Sequence, residues 1–136
     1  MKLIPYLNFH GDCEEALNKY KEIFDGKFEI VNRYDNPAMN APDDYKNKIL
    51  HARFDAGEVE FFASDIMPGR EVEEKTSRRV ALSLAIDNSE KAAEIFEQLA
   101  DGGKVNIPFK KQFWGDWHGN LVDRFGIFWM VNSEGK

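Results

Sequence analysis

A stretch near the start of the chain recurs, without a gap, 76 residues later. Asp12-Cys-Glu-Glu-Ala-Leu-Asn-Lys-Tyr-Lys-Glu-Ile-Phe-Asp-Gly26 aligns with Asn88-Ser-Glu-Lys-Ala-Ala-Glu-Ile-Phe-Glu-Gln-Leu-Ala-Asp-Gly102. Glu14 meets Glu90, Ala16 meets Ala92, and the Asp25-Gly26 pair meets Asp101-Gly102. A repeat of this kind restricts the fold to an architecture assembled from two copies of one unit.

Each copy has the spacing of an amphipathic helix. Ala16, Leu17, Tyr20, Ile23 and Phe24 make one apolar face; Ala92, Ile95, Phe96, Leu99 and Ala100 make the other. Asp12 with Glu15, and Asp87 with Glu90, predict capping-box starts. Gly26 and Gly102 are expected to leave the helices in a left-handed conformation.

Strand patterns flank both helices. Leu3–Phe9 and Val80–Ile86 precede them. Lys27–Tyr34, Lys48–Phe54 and Glu58–Ser64 follow the first; Gly103–Ile107, Trp117–Val122 and Ile127–Asn132 follow the second. The expected fold is α+β: two βαβββ modules whose curved mixed sheets enclose a cleft, with the helices on the opposite faces. A single domain over 1–136 is expected, with modules at 1–66 and 79–136 and a connector at 67–78. Asn36–Asp44 reads as a loop, and the sign-alternating run Arg70–Arg79 as a solvated connector. A half of this size buries a sheet poorly alone, so pairing the halves is physically sensible.

Composition serves mainly to exclude. Eighteen basic against 24 acidic residues give a net charge of -6, and no basic patch stands out for nucleic acid. No apolar run reaches the roughly 20 residues of a membrane span, and the start does not read as a signal peptide. Cys13 is the sole cysteine, so neither a disulfide framework nor a cysteine-zinc cluster is expected. A cytoplasmic protein is the expectation.

His51 is the leading candidate for chemistry. On an alternating strand it shares a face with Arg53 and Asp55. It reads equally as a packed, hydrogen-bonded side chain and as a ligand contact or general base. Arg53 beside it suits an anionic or carbonyl-bearing ligand, or pairs with an acid at the rim. In the aromatic stretch Phe113–Gly119, Trp114 is expected to line a pocket and Trp117 to plug a core or contact. Trp129 reads as core, Cys13 as an inert first-turn residue beside His10, and His118 as a solvated loop residue. Glu58 and Glu60 read as edge-strand charges, and the pair Ser64-Asp65 as a cap of the turn that follows.

Three phrases carry a resemblance. PYLNFHGDCEEALNKYKEIFDGK, LHARFDAGEVEFFASD and FWGDWHGNLVDRFGIFWMVN are similar to PhnB-like proteins of the vicinal oxygen chelate superfamily, with glyoxalase I, bleomycin-resistance proteins and extradiol dioxygenases. The resemblance spans nearly the whole chain and implies paired βαβββ modules and a homodimer. Its metalloenzymes hold a divalent ion with His and Glu from four strands. By landmark spacing those positions fall on Pro5, His51, Ala81 and Met130. Only His51 is a metal donor, so no metal and no cofactor is expected.

The implied function is metal-free binding of an unknown small molecule. Phe62, Trp114, Phe128 and Met130 would supply apolar contacts, and His51, Arg53 and Ser83 polar ones. The alternatives are a lyase or isomerase in which His51 moves a proton, with or without a divalent metal, and a scaffold whose cleft is filled by its own aromatics. Relatives labelled demethylubiquinone methyltransferases suggest another activity, but no loop here resembles a G-x-G-x-x-G cofactor motif.

Overall fold

A computed structural model describes residues 1–69 and 79–134. Most of the 67–78 connector, including nearly all of its charge run, lies outside the described residues. The chain divides into two compact units, Met1–Glu71 and Val72–Lys136.

The first unit runs β1 (Tyr6–Phe9), α1 (Cys13–Phe24), β2 (Lys27–Arg33), two short 3₁₀ turns (Pro37–Met39 and Asp43–Tyr45), β3 (Ile49–Ala56) and β4 (Val59–Asp65). Its sheet has the order β1-β4-β3-β2, with β1 parallel to β4 and the other neighbours antiparallel. The second unit runs β5 (Leu82–Ala85), α2 (Ser89–Ala100), β6 (Lys104–Lys111), β7 (Trp117–Val122) and β8 (Phe128–Ser133). Its order, β5-β8-β7-β6, repeats the first, again with one parallel pair. Each unit is therefore βαβββ, and the two helices occupy the same bounds at the offset of 76.

In each unit the helix covers one sheet face. Ala16, Leu17, Tyr20 and Ile23 are buried against the sheet side that carries Leu7, Phe9, Ala52, Phe54, Phe61 and Ala63. Phe54 and Phe61 are register partners whose rings stack at 4.7 Å, and Tyr20 meets Phe61 edge-on at 5.9 Å. In the second unit Ala92, Ile95, Phe96 and Leu99 are buried with Leu121, Trp129 and Val131. Trp129 is core, and its indole N–H donates to Asp123 Oδ2 at 2.8 Å.

Both helix starts depart from the capping-box expectation. The Asp12 side chain makes no cap bond to α1. Buried Asp65, at the end of β4, does that work instead. Its Oδ1 accepts from the backbone N–H of Gly11 and Cys13, and its Oδ2 from Ile49 N–H. Ser64-Asp65 therefore does not cap the following turn; Asp65 ties three segments together. In α2 the cap is Asn88, not Asp87, with Oδ1 accepting from Glu90 and Lys91 N–H.

The helix exits differ too. Asp25, not Gly26, takes the left-handed conformation, at φ 52°. Gly26 is glycine for space, because a Cβ there would sit 2.7 Å from the Ala56 methyl. After α2 the left-handed residue is Gly102, and Gly103 fills the tight place, where a Cβ would lie 2.4 Å from Val122 O. The second copy thus needs one more residue to reach its next strand. Strand β6 also runs past the expected end at Ile107 to Lys111, through Pro108. It is an edge strand, where a missing N–H is tolerated.

Candidate functional site

The face of the first sheet opposite α1 carries Tyr6, His51, Arg53, Asp55 and Phe62, all partly or fully exposed. Phe62 has Tyr6 as register partner on one side and Arg53 on the other. Around it the chemistry converges. The Tyr6 hydroxyl lies 3.0 Å from His51 Nδ1, and the two rings stack at 5.8 Å. His51 meets Phe62 edge-on at 5.2 Å, and the Arg53 guanidinium lies 6.0 Å from the Phe62 centroid. Among the described residues, His51 Nε2 has no hydrogen-bond partner. Sequence reasoning brought His51, Arg53 and Phe62 to this face; it missed Tyr6, because nothing local links residues 45 apart. Arg53 and Phe62 also border a charged depression of about 390 Å³ with Lys27, Glu29 and Glu60, which does not include His51.

The open face of the second sheet carries Ser83, Phe128 and Met130, with Ser83 and Met130 as register partners. Met130 pairs on its other side with Asn120. By register, then, Met130 occupies the place of Phe62, Ser83 that of Tyr6, and Asn120 that of Arg53. The residue preceding Arg53 by two is His51, and the residue preceding Asn120 by two is His118.

His118 is not a loop residue. It lies in β7, half-buried. Asn132 Nδ2 donates to Ser83 Oγ at 2.9 Å and to Leu84 O at 3.4 Å, which turns its Oδ1 toward His118 Nδ1, 2.7 Å away. The ring proton therefore sits on Nδ1, and Nε2 accepts from Asn120 Nδ2 at 3.3 Å. Both ring nitrogens are engaged. The glycine that suggested a loop, Gly119, is there because β6 passes close: a Cβ would lie 2.7 Å from Phe109 Cα.

Trp114 stands apart from these residues. It is on the β6–β7 hairpin and 55% exposed, and the cavity it borders includes none of Ser83, Phe128 or Met130. Trp117 is half-buried and stacks on Phe109 at 5.7 Å. Cys13 is fully buried; burial and then the nearby Asp65 push its thiol far above the ordinary range, so it is no nucleophile.

The superfamily's metal does not fit this donor set. Among the described residues no three His, Cys, Asp or Glu side chains are grouped to hold an ion. Pro5 and Met130 offer no hard donor, and Pro5 contributes only its carbonyl, which accepts from Phe62 N–H at 3.0 Å.

Two four-stranded mixed sheets, each βαβββ with one helix, define the glyoxalase/bleomycin resistance/dioxygenase fold. A domain of that description from Frankia sp. EAN1pec is similar at TM-score 0.68 and 16% identity, covering 100% of this chain and 92% of that one. The chain belongs to the PhnB-like family: a family model described as 3-demethylubiquinone-9 3-methyltransferase matches residues 1–132. Protein PA1353 from Pseudomonas aeruginosa is 36% identical with TM-score 0.85, over 100% of this chain and 99% of its own. The PhnB protein from Bacillus cereus, at 24% identity, shares the fold at TM-score 0.81 over 98% and 99%. The methyltransferase wording set aside on the absence of a cofactor loop is thus the description of the family itself.

Proposed function

We propose that this protein binds a small planar molecule, without metal, on the open face of its first sheet. One observation carries the reading: His51 is held through Nδ1 by Tyr6 and edged by Phe62, while among the described residues its Nε2 has no hydrogen-bond partner. A ring nitrogen held in place and unpaired is a prepared contact for a polar ligand atom. Arg53, next to Phe62, favours a carboxylate or carbonyl on that ligand. Ser83, Phe128 and Met130 are proposed ligand contacts on the open face of the second sheet, and Trp114 a separate one on its hairpin. The homodimer implied by the family resemblance belongs to the same proposal, and light scattering at micromolar concentration tests it. Among the described residues no helix is long and apolar enough to cross a membrane.

The test is a thermal-shift screen of aromatic carboxylates and ketones, run with and without EDTA. A ligand at 100-fold its Kd is expected to raise Tm by roughly 5–10 °C, with or without chelator. His51→Ala and Arg53→Ala are expected to weaken that ligand by about 10-fold each. Equal affinity in His51→Ala would contradict the reading, as would stoichiometric bound metal whose removal abolishes binding. The Tyr6–His51 bond also suits a general base, which needs an orienting partner. Turnover of the bound ligand that vanishes in His51→Ala would assign that role.

A further inference from the structure

The second unit has a cavity of about 250 Å³ at the base of the β6–β7 hairpin. Two indoles, Trp114 and Trp117, and the ring of His118 contribute aromatic walls. Asp87, Asp116 and Glu134 bring acidic residues to the lining, and among the described residues no lysine or arginine lines it. None of these three carboxylates makes an ion pair among the described residues. A pocket with aromatic residues, three acidic residues and, among the described residues, no countercharge is matched to a cation that carries its own apolar surface.

The Trp117 wall and the hairpin backbone are fixed in advance. Trp117 stacks on Phe109 with ring planes 24° apart. The hairpin is closed by Gln112 N–H donating to Asp116 O at 2.8 Å and Gly115 N–H to Gln112 O at 3.0 Å, with Gly115 at φ 102°. Gln112 Nε2 donates across the strands to Lys110 O and His118 O. The sequence Trp114-Gly-Asp-Trp117 thus places an aspartate between two tryptophans along a braced turn. His118 presents a ring whose nitrogens are both engaged, so it adds a surface rather than a competing donor.

We propose that this cavity binds a small organic ammonium ion, quaternary or bearing N-alkyl groups. Its size suits a compact head group, and the indole faces stabilise a diffuse positive charge that a hydrated metal ion would not present.

Choline and its neutral isostere 3,3-dimethyl-1-butanol are the probes, titrated while tryptophan fluorescence and the indole N–H resonances are followed. Choline is expected to saturate and to move the Trp114 and Trp117 signals, and the isostere to bind about 10-fold or more weakly. Trp114→Ala changes an exposed side chain and is expected to keep the fold, as is Asp116→Asn; each should weaken choline about 5- to 10-fold. His51→Ala should leave choline binding unchanged, which separates this site from the first-sheet reading. Equal binding of the two probes, no saturation by 50 mM choline (roughly the ceiling for a specific contact), or full displacement by equimolar Mg²⁺ would each overturn the proposal.

Discussion

The two units share strand order, helix bounds and register, yet their open faces are wired differently. In the first, the histidine of the third strand has one nitrogen held by Tyr6 and the other without a partner among the described residues. In the second, the histidine at the matching register position is locked into a chain running Ser83–Asn132–His118–Asn120. The helix starts diverge in the same manner. A buried carboxylate from a distant strand caps α1, whereas α2 is capped by its own Asn88. A duplicated backbone constrains where side chains point; it does not constrain which polar groups they satisfy. The unit whose imidazole keeps one nitrogen without a partner among the described residues is the one to which the planar ligand is assigned.

Removing Asp65 is expected to break this comparison most severely. Asp65→Ala strands the N–H groups of Gly11, Cys13 and Ile49 in a buried setting. The cost should be about 3–5 kcal/mol, against about 1 kcal/mol for Asn88→Ala. Urea unfolding, with hydrogen exchange read separately on α1 and α2, checks both numbers; equal costs would show that the two caps are equivalent. His118→Ala comes next. It leaves Asn132 Oδ1 unpaired and should cost about 1–2 kcal/mol in chemical denaturation without altering ligand affinity at the His51 face.

An effect of similar size is expected with pH, and it arises from Cys13 of the first unit. Burial raises the Cys13 thiol pKa in the folded chain. Above the ordinary thiol pKa of about 8.5, the unfolded chain loses this proton while the folded chain keeps it, so stability falls as pH rises further. Denaturation midpoints at pH 8 and pH 10 should show a loss that disappears in Cys13→Ser. Iodoacetamide should label Cys13 only after unfolding.

The repeat was legible because helical periodicity is a local pattern, and both helices begin and end at the expected spacing. Its gapless form holds only there. Register relates β5 to β1 at an offset of 77, β7 to β3 at 67 and β8 to β4 at 68, since loops of different length intervene. A gapless comparison therefore cannot pair His51 with His118, and the matched histidines went unnoticed. Glycine misled for a physical reason: Gly119 and Gly26 looked like loop and left-handed signals, but each is present because a neighbouring strand leaves no room for a Cβ. The role of Asp65 was hidden because its partners lie 16 to 54 residues away. Of the proposed site, the alternation of β3 placed His51 and Arg53 together, while Tyr6 and Asn132 required knowledge of which strands pair.

The central claim is that His51 offers a ligand a ring nitrogen and His118 does not. Histidine ring ¹⁵N spectra of the whole protein, recorded with and without the strongest aromatic carboxylate from the screen, test it directly. The account predicts that the His51 Nε2 resonance moves with ligand, while His118 keeps a slowly exchanging Nδ1–H and an unchanged spectrum. A ligand that shifts His118 and leaves His51 untouched would contradict it.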